Sequence, residues 1–584
     1  MPDLILWNSI ASRRRSPSDD FLDNGLALLK AFVQARDFEV ELADWARSSR
    51  WQKLTPRPLA ASNRFLASLL IPGENTGKSG KKLFRRLAGP LFLLSQEVTT
   101  SIQRRRLDRM LRDLALRVRD SGCRVLGIKS WYGEAYRSAK ELARRVRRFA
   151  PDVLIVIGGP HASIYQEAVL EEGLFDVVVI GEGEIALAGI LELSREYRGR
   201  EVLLAAVSAE AGRGKLRNLI CRSERPVAKP LIEEGEAGSK AVSGYEDFEG
   251  KTRIHVIVDS QGCPWGKCNF CTHTCIYGVH SLRDPESLLD ELARMISAGI
   301  GIFRFAGSST TLNQAGRIAA LIEARALKLT FSMFVRAEAE ARREEVHQRI
   351  VATYRQLLRS GLRAVFMGAE SGMDTVNELV MNKGAGRANI IGTVKAMRQA
   401  ARAEGLPLDI GLSLIYPAPT LGRVTLEELL AENISLVEQT QPDSVLVSPP
   451  APFPGTAWFN EKERFGFELG ENFVREMLEY DYVLYKPTYL WPEIELKLEG
   501  RGLREILGLC QELRRALEDR GFVTEVTDEH FLMLRAAGYA GKEGAKKFKY
   551  QALLDLLSCD YRWINQLQQR VNQASLQLAA ANRK

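Results

Sequence analysis

The sequence predicts an α/β protein with an N-terminal Rossmann-like domain, a central partial (β/α)6 barrel of the TIM type and a mainly helical C-terminal domain. Two observations predict this class. Short continuous apolar runs alternate with amphipathic helical segments in two separate series, which is typical of parallel sheets covered by helices on both faces. The 584 residues are 45% hydrophobic and 26% charged, which is ordinary for a folded chain of several domains and excludes a mainly disordered or fibrous one.

The first alternating series extends over residues 1–200 and predicts the Rossmann-like domain. Two of its strands end in glycine-rich turns, Gly158-Gly159-Pro160-His161 and Gly181-Glu182-Gly183-Glu184. Ligands of parallel sheets bind outside the carboxyl ends of the strands, so we expect a binding site at these turns. The apolar runs predict strands at 4–7, 40–43, 124–128, 153–157 and 177–180, with a helix at 165–172 between the last two.

A basic segment at about 46–120 interrupts this series and is predicted to be an insertion. Residues 51–120 carry 15 Lys and Arg against 5 Asp and Glu, a net charge of +10, whereas the net charge of the whole chain is +8. Positive charge attracts anionic molecules over a long range, so the segment is a candidate for steering an anionic substrate. A solvated helical face would explain the same charge.

The second alternating series extends over residues 251–460 and predicts the barrel, after a linker at 201–250 that is rich in Gly, Glu and Lys. Catalytic groups of such barrels lie at the carboxyl ends of the strands. Residues 461–584 are predicted to form the helical C-terminal domain, a candidate substrate-binding or cap region. The predicted barrel strands are 255–258, 302–305, 329–333, 364–367, 409–415 and 444–448.

No apolar run approaches the roughly 18 residues of a membrane span. The first ten residues lack a basic stretch followed by an apolar core, so we expect no signal peptide and a cytoplasmic protein. Eight cysteines in such a chain are not a secreted disulfide framework, because four of them fall within thirteen residues. This cluster instead indicates a metal or iron–sulfur site.

Three cysteines of the cluster, Cys263, Cys268 and Cys271, directly follow the first predicted barrel strand. Three thiolates on one loop suit a [4Fe–4S] cluster in which one iron stays open for a substrate or a cofactor. Two alternatives remain. Structural zinc prefers four protein ligands, which Cys275 and His273 could complete. The cluster could also use Cys268, Cys271 and Cys275.

The stretch from Gly262 to His273 resembles the cluster loop of radical SAM enzymes. In that family the open iron binds the amino and carboxylate groups of S-adenosylmethionine (SAM), and an electron from the reduced cluster cleaves SAM to a 5′-deoxyadenosyl radical. The resemblance implies that Cys263, Cys268 and Cys271 are the cluster ligands. This loop departs from the family pattern, because four residues rather than three separate the first two cysteines.

Other barrel segments resemble the SAM pocket of the family. The stretch 367–372 is similar to the segment at its fourth strand, and Asn382-Lys383-Gly384 follows one residue later than usual. The stretch 306–309 stands where the family often has a carboxylate for the methionine amine, and it contains none. Without the resemblance, the charged residues would be explained equally well by structural salt bridges. The SAM-binding residues that the resemblance implies are Arg336, Glu370, Ser371 and Ser308.

The order of the domains resembles the cobalamin-binding subclass of these enzymes. The two glycine-rich turns are similar to its signature turns, and glycines let the backbone approach a flat macrocycle closely. No D-x-H-x-x-G motif is present, so the resemblance implies a base-off, His-off cobalamin, with His161 beside the nucleotide tail. The alternative is a degenerate domain that has lost cobalamin. The implied cobalamin residues are Lys129, Ser130, Trp131, Gly158, Gly159, His161, Gly181, Glu182 and Gly183.

The resemblance covers about residues 1–460 and implies a cobalamin-dependent radical SAM methyltransferase. Its target would be an unactivated carbon or another poor nucleophile of a biosynthetic substrate. The alternatives are a non-methylating radical rearrangement or cyclisation on the same cofactors, and a non-catalytic cobalamin- or cluster-binding sensor. We expect a small-molecule or peptide substrate, anionic if the basic segment steers it, and a reductant such as flavodoxin or ferredoxin. We expect no membrane or nucleic-acid partner.

Overall fold

Two six-stranded sheets flanked by helices organise the chain. The computed structural model describes residues 1–10, 20–71, 81–222, 244–277, 280–307, 309–480 and 493–583. The strands are β1 Leu4–Asn8, β2 Val40–Asp44, β3 Val125–Lys129, β4 Leu154–Gly158, β5 Val177–Val179, β6 Leu219–Cys221, β7 His255–Ile257, β8 Ser260–Gln261, β9 Ser281–Leu282, β10 Ile302–Phe305, β11 Thr330–Val335, β12 Leu362–Glu370, β13 Asp409–Ile415, β14 Ser444–Ser448, β15 Phe467–Leu469, β16 Leu496–Leu498 and β17 Arg501–Gly502.

Most helices begin after a strand and cover a sheet. Their starts carry local signals, such as the capping box in which Thr425 and Glu428 satisfy each other's backbone N–H groups. The helices are α1 Asn24–Gln34, α2 Ser48–Leu54, α3 Arg57–Leu70, α4 Lys81–Ser121, α5 Glu134–Phe149, α6 Pro160–Tyr165, α7 Glu184–Glu196, α8 Arg200–Gly212, α9 His273–Ile276, α10 Pro285–Ser297, α11 Leu312–Ala324, α12 Glu344–Arg359, α13 Arg387–Glu404, α14 Leu426–Thr440, α15 Ala457–Asn460, α16 Phe473–Glu479, α17 Leu503–Asp519, α18 Asp528–Ala536, α19 Gly541–Ser558 and α20 Arg562–Ala580.

The N-terminal sheet has the strand order β2-β1-β3-β4-β5-β6. The first five strands are parallel, as predicted, and β6 is antiparallel to β5. The predicted linker at 201–250 begins inside α8 and contains β6. The assignment was wrong there because the apolar run Leu219–Cys221 is buried against β5 and covers an edge that would otherwise stand open. Residues 223–243 lie outside the described residues.

A second difference concerns the helix predicted at 165–172. The structure has α6 at Pro160–Tyr165, followed by a 3₁₀ helix at Gln166–Val169. Proline favours the first turn of a helix because its φ is already helical, so the helix begins directly at Pro160. It therefore starts at the glycine-rich turn itself and fixes the backbone of that turn.

The basic insertion is helical and docks on the C-terminal part of the chain. Within it, α3 packs against both α4 and α19. The Arg64 guanidinium lies 2.5 Å from the buried Asp555 carboxylate, and Gln96 donates to the carbonyl of Leu557 over 2.8 Å. The insertion is thus anchored by specific contacts as well as by apolar packing.

The second sheet has the strand order β7-β10-β11-β12-β13-β14, and all its strands are parallel. Each strand pairs with the next barrel strand along the chain, which is the arrangement of a (β/α) barrel. Beyond β14 the backbone at Thr524 forms a parallel bridge with Val445 and extends the sheet. The structure confirms the predicted α/β class with its two mainly parallel sheets.

Helix α18 joins the C-terminal part of the chain to this sheet. It packs against β11, β12 and β13. The Asp528 carboxylate accepts from the Arg304 guanidinium over 2.9 Å and from the Ser332 hydroxyl over 2.7 Å. Arg535 pairs with Asp409 at the other end of the helix. Burial raises the pKa of Asp528, but Arg304 and the hydrogen bonds outweigh it and hold this pKa below its ordinary value.

None of the helices in the described part of the chain is long and apolar enough to cross a membrane.

Candidate functional site

The cysteine loop follows β7 and is attached to the segment after β12. Asn269, between the second and third cysteines, donates from its backbone to the carbonyl of Met381 over 3.0 Å and from its side chain to the carbonyl of Val380 over 2.9 Å. Its own carbonyl accepts from the backbone of Trp458 over 3.0 Å. Because the loop is held on two sides, its cysteines have a fixed place at the carboxyl end of the sheet.

In two places the sequence is one residue longer than the family pattern, between Cys263 and Cys268 and before Asn382. These two segments contact each other. Trp265, in the longer cysteine spacing, donates to the carbonyl of Asn382 over 2.6 Å. A Cβ on Gly384 would lie 2.5 Å from the Trp265 ring, so the glycine makes room for the indole. Before Asn382 the chain forms a π-helix at Val376–Val380, and a π turn contains one more residue than an α turn. The longer cysteine loop is therefore held in place by the contacts of Trp265 with Asn382 and Gly384.

The three predicted cluster cysteines share charged neighbours. Arg336 lies 3.4 Å from Cys263 Sγ. Burial raises the pKa of Cys268, whereas Lys383 and Arg336 act to lower it. Burial raises the pKa of Cys271 to about 11, and Lys383 again acts to lower this pKa. Two cations close to three thiols are suited to stabilise thiolates, the form that binds iron.

In the residues that the structure describes, no three His, Cys, Asp or Glu side chains stand close enough to hold a single metal ion. The ligands of a [4Fe–4S] cluster stand farther apart than those of a single metal ion, because each thiolate binds a different iron. Cys275 lies beside the turn after β14, where a Cβ on Gly455 would be 3.0 Å from its sulfur. His273 lines a separate cavity, described below, and burial lowers its pKa.

Glu370 stands at the end of β12 within a buried polar group. Its carboxylate accepts from Lys383 over 2.7 Å and from the Ser413 hydroxyl over 3.1 Å. A Cβ on Gly368 would overlap with this carboxylate, so the glycine is required for the pair. Arg336 donates to the carbonyl of Lys383 over 2.7 Å. The structure thus brings Arg336 and Glu370 together beside the cysteine loop, with Lys383 between them.

Only one of the two serines predicted to bind SAM, Ser371, is among the described residues. Ser371 is fully buried, and its backbone and hydroxyl make local bonds to Ala369 and Met373. It supports the turn after Glu370. Ser308 lies outside the described residues.

Sequence reasoning missed Asp259, at the end of β7. We found no carboxylate in the stretch 306–309, but the buried Asp259 carboxylate reaches it from the neighbouring strand. It accepts from the backbone of Gly307 over 3.1 Å and from the Thr310 hydroxyl over 2.7 Å. Burial raises the pKa of Asp259 against these hydrogen bonds. The available signal was an acidic residue at the end of an apolar strand, a position where side chains reach the next loop.

A cavity of about 460 Å³ lies between the N-terminal sheet and the barrel. Its N-terminal wall contains Lys129, Gly158, Gly159 and both glycines of the turn at 181–184 together with Glu182. Its barrel wall contains Thr272, His273, Ile276 and Tyr277, which directly follow the third cysteine. The two walls are connected, since Gln261 donates to the Glu182 carboxylate over 2.5 Å.

Two glycines on the N-terminal wall have no room for a side chain. Gly159 has a φ of +108°, and a Cβ there would lie 2.9 Å from the carbonyl oxygen of Ser130. A Cβ on Gly183 would lie 3.2 Å from the Val179 side chain. Beside them, Lys129 pairs with Asp23 over 2.6 Å. Burial raises the pKa of Asp23, but Lys129 outweighs it and brings this pKa below its ordinary value.

Three predicted cobalamin residues do not line this cavity. Ser130 is buried beneath the turn, and its backbone donates to the carbonyl of Gly158 over 3.0 Å. Trp131 and His161 belong to an aromatic group next to the cavity, in which the ring centres of His161 and Tyr132 are 4.3 Å apart. These three residues therefore do not line the cavity itself, and their contact with cobalamin stays a prediction.

Comparisons with known proteins agree with this architecture. Residues 100–191 match the family described as "B12 binding domain". The solved structure of the radical SAM methyltransferase TsrM from Kitasatospora setae, with cobalamin and a [4Fe–4S] cluster bound, has a TM-score of 0.55 at 15% identity. The match covers 94% of this chain and 99% of TsrM. The cobalamin-dependent SAM radical enzyme OxsB, with aqua-cobalamin and SAM bound, has a TM-score of 0.52 at 14% identity, over 94% and 70%.

Among curated proteins, the anaerobic magnesium-protoporphyrin IX monomethyl ester cyclase of Cereibacter sphaeroides is 24% identical over 65% of this chain. The match spans 57% of the length of that relative. An uncharacterised methyltransferase of Pyrococcus horikoshii is 24% identical over 57% of this chain and 68% of its own.

The matched domain and the fold together describe an α/β domain similar to B12 binding domains, followed by a parallel barrel with a cysteine loop. In its fold, the chain is similar to the cobalamin-binding radical SAM enzymes TsrM and OxsB.

Proposed function

We propose that this protein is a cobalamin-dependent radical SAM methyltransferase that holds a [4Fe–4S] cluster at Cys263, Cys268 and Cys271. One observation carries the proposal. The cavity beside the glycine-rich turns is closed on its other side by the residues that directly follow Cys271. A group bound in this cavity would therefore lie next to one bound at the cysteine loop, which methyl transfer to a substrate radical requires.

The residues of the cavity fit a flat macrocycle. Gly158, Gly159 and Gly183 allow the backbone to approach it, and a side chain at Gly159 would meet Ser130. Lys129 is held by Asp23 at the cavity wall and can donate to an amide or phosphate oxygen of the cofactor periphery. When bound, cobalamin supplies the methyl group, and the cluster supplies the electron that cleaves SAM.

At the barrel site, charged side chains of the protein can bind SAM and orient it. Arg336 lies beside Cys263 and can bind an anionic group such as the SAM carboxylate. Glu370, fixed by Lys383 and Ser413, can accept from a hydroxyl or an ammonium group. Asp259 fixes the stretch around Gly307, where the methionine part of SAM would lie. Asp259 and Glu370 are buried, which limits the access of water to this part of the site.

A radical cyclisation without methyl transfer is the second candidate, because one curated relative is a cyclase. The two reactions leave different products of SAM. Methyl transfer yields S-adenosylhomocysteine together with 5′-deoxyadenosine, whereas cyclisation yields 5′-deoxyadenosine alone.

The test is anaerobic incubation of the reconstituted protein with SAM, cobalamin, candidate small-molecule substrates and a flavodoxin or ferredoxin reducing system, followed by mass spectrometry of the nucleosides and of the substrates. We expect both products. 5′-Deoxyadenosine alone would favour cyclisation. Neither product, from protein that carries both cofactors, would contradict an enzymatic role and favour a sensor. The Cys268→Ala variant is the control for background cleavage.

A further inference from the structure

A buried group of polar side chains lines the barrel side of the cavity, and the proposed reaction does not use it. Three of its members contact the cavity: His255 on β7, Glu291 on α10, and Arg283 just before α10. One oxygen of the Glu291 carboxylate lies 2.7 Å from His255 Nε2, and the other lies 2.5 Å from Arg283 Nη1. The Tyr245 hydroxyl lies 2.5 Å from His255 Nδ1. These four residues are here called the Arg283 group.

The Arg283 group is not a surface salt bridge. Arg283 is 7% exposed and His255 is 1% exposed. Burial raises the pKa of Glu291, but His255 and Arg283 outweigh burial and bring this pKa down to about 2. Glu291 is therefore a carboxylate at neutral pH, and it fixes the guanidinium of Arg283 at the cavity wall.

The guanidinium of Arg283 keeps a donor for a ligand. Glu291 lies against Nη1, whereas the buried Nε has no hydrogen-bond partner in the part of the chain that the structure describes. A buried donor without a partner destabilises a protein, and an acceptor bound in the cavity would remove this penalty. The planar, permanently charged guanidinium favours a carboxylate or a phosphate as this acceptor.

An apolar part of the cavity adjoins the Arg283 group. Asn24, at the start of α1, lines the cavity and donates to the carbonyl of Val256 over 2.7 Å. This bond holds α1 against β7, beside His255. A ligand that fills the cavity therefore needs an apolar part next to an anionic part. The apolar part of the wall lies on the face of the N-terminal sheet that α1 and α7 cover, and it contains Leu6, Val156, Val179 and Leu187.

We propose, on the basis of the function proposed above, that Arg283 binds the phosphodiester of the cobalamin nucleotide tail, so that the barrel holds the cofactor together with the N-terminal domain. The phosphodiester is the anionic group of the cobalamin periphery, whose other polar groups are mainly neutral amides. It connects the corrin ring to an apolar aromatic base. This combination matches a buried guanidinium next to an apolar wall.

Lys129 is the other Lys or Arg side chain among the described residues that line the cavity. Its ammonium group lies 2.6 Å from each oxygen of the Asp23 carboxylate. Arg283 is favoured as the phosphate ligand because its Nε is buried without a partner among the described residues.

The test is equilibrium titration of the full-length protein with three corrinoids, followed by their visible spectra. These are hydroxocobalamin, cobinamide phosphate, which lacks the nucleoside, and cobinamide, which lacks the phosphate as well. For Arg283→Met we expect the Kd to rise at least about tenfold for the two corrinoids that carry phosphate, the loss of a charge-assisted hydrogen bond, and to stay unchanged for cobinamide. Arg283→Lys keeps the charge and should lose less affinity.

Unchanged cobinamide binding is the internal control for the folding of each variant. The double variant Arg283→Met/Glu291→Gln leaves no unpaired charge at this pair and should show the same selective loss. Arg535→Met removes another arginine–carboxylate pair, that with Asp409, and should bind all three corrinoids like the unmodified protein.

Equal losses for all three corrinoids would assign Arg283 to the corrin ring or to the fold and overturn the proposal. A loss confined to hydroxocobalamin would assign it to the nucleoside and overturn the proposal as well, and so would unchanged affinities. In each of these cases the unmodified protein still binds cobalamin, so the proposed function stands. An unmodified protein that binds none of the corrinoids would contradict the proposed function together with the role of Arg283.

Discussion

The two candidate cofactor regions are built in opposite ways. The barrel site consists of side chains that converge, with Arg336 beside Cys263 and Lys383 paired to Glu370. The cavity on the N-terminal sheet is lined by Gly158, Gly159 and Gly183, and an added Cβ at Gly159 or Gly183 would crowd its neighbours. The first region should therefore be sensitive to the removal of groups, and the second to the addition of atoms. This difference makes the two regions separable by mutation.

The largest expected effect is loss of the cluster. Changing Cys263, Cys268 or Cys271 to Ala should reduce the iron content from about four per chain to near zero after anaerobic reconstitution, because each thiolate binds one iron. Iron analysis and the visible absorption spectrum measure this. Cys275→Ala is the matched control and should keep its iron. Stoichiometric zinc that depends on Cys275 would contradict the assignment.

The next effect tests the cavity by adding a single methyl group. Gly159→Ala should weaken cobalamin binding at least about tenfold, because a Cβ there meets the Ser130 carbonyl and the φ of +108° is strained for any other residue. Equilibrium titration with hydroxocobalamin measures the Kd. Iron content should not change. The control is Gly508→Ala in α17, where a Cβ meets no atom within 4 Å. Unchanged cobalamin affinity in Gly159→Ala would move the site away from this cavity.

A smaller effect concerns the carboxylate of the barrel site. Glu370→Gln keeps the shape but removes the charge that Lys383 neutralises. We expect the Kd for SAM to rise about tenfold, the loss of a charge-assisted hydrogen bond, with iron and cobalamin unaffected. Isothermal titration calorimetry of the reconstituted protein measures it. Glu432→Gln, which removes a half-exposed partner of Arg387, is the control and should bind SAM normally. If Glu370→Gln and Glu432→Gln have the same Kd for SAM, Glu370 has a structural role and does not bind SAM.

The last prediction concerns the stability of the packing between the two regions. His530 in α18 belongs to an apolar cluster that contains residues of both sheets. Burial lowers the pKa of His530 to about 4, with Asp528 opposing the shift. The unfolded chain binds a proton below a pH of about 6.5 and the folded chain does not, so the free energy of unfolding should fall by roughly 3 kcal/mol between pH 7 and pH 4.

Urea unfolding at several pH values measures this dependence. His530→Gln keeps a polar side chain in place and should flatten the profile in this range. A variant with the same pH dependence as the unmodified protein would mean that other groups govern acid stability.

The sequence alone predicted the elements that local patterns specify. The barrel strands Ile302–Phe305, Asp409–Ile415 and Ser444–Ser448 have the bounds that their apolar runs indicate. The cysteine loop and the glycine-rich turns lie at the carboxyl ends of strands, as expected. These features were predictable because a buried parallel strand requires a continuous apolar run, and a turn against a ligand requires glycine.

Tertiary structure decided the features that depend on contacts between distant segments. Asp259 reaches the loop at Gly307 only because β7 and β10 are neighbours. The longer cysteine loop has its place because Trp265 packs on Gly384, more than a hundred residues away. Strand β6 forms because the edge of β5 is available to it. Each of these depends on which surfaces meet after the chain folds, and local composition contains no information about that.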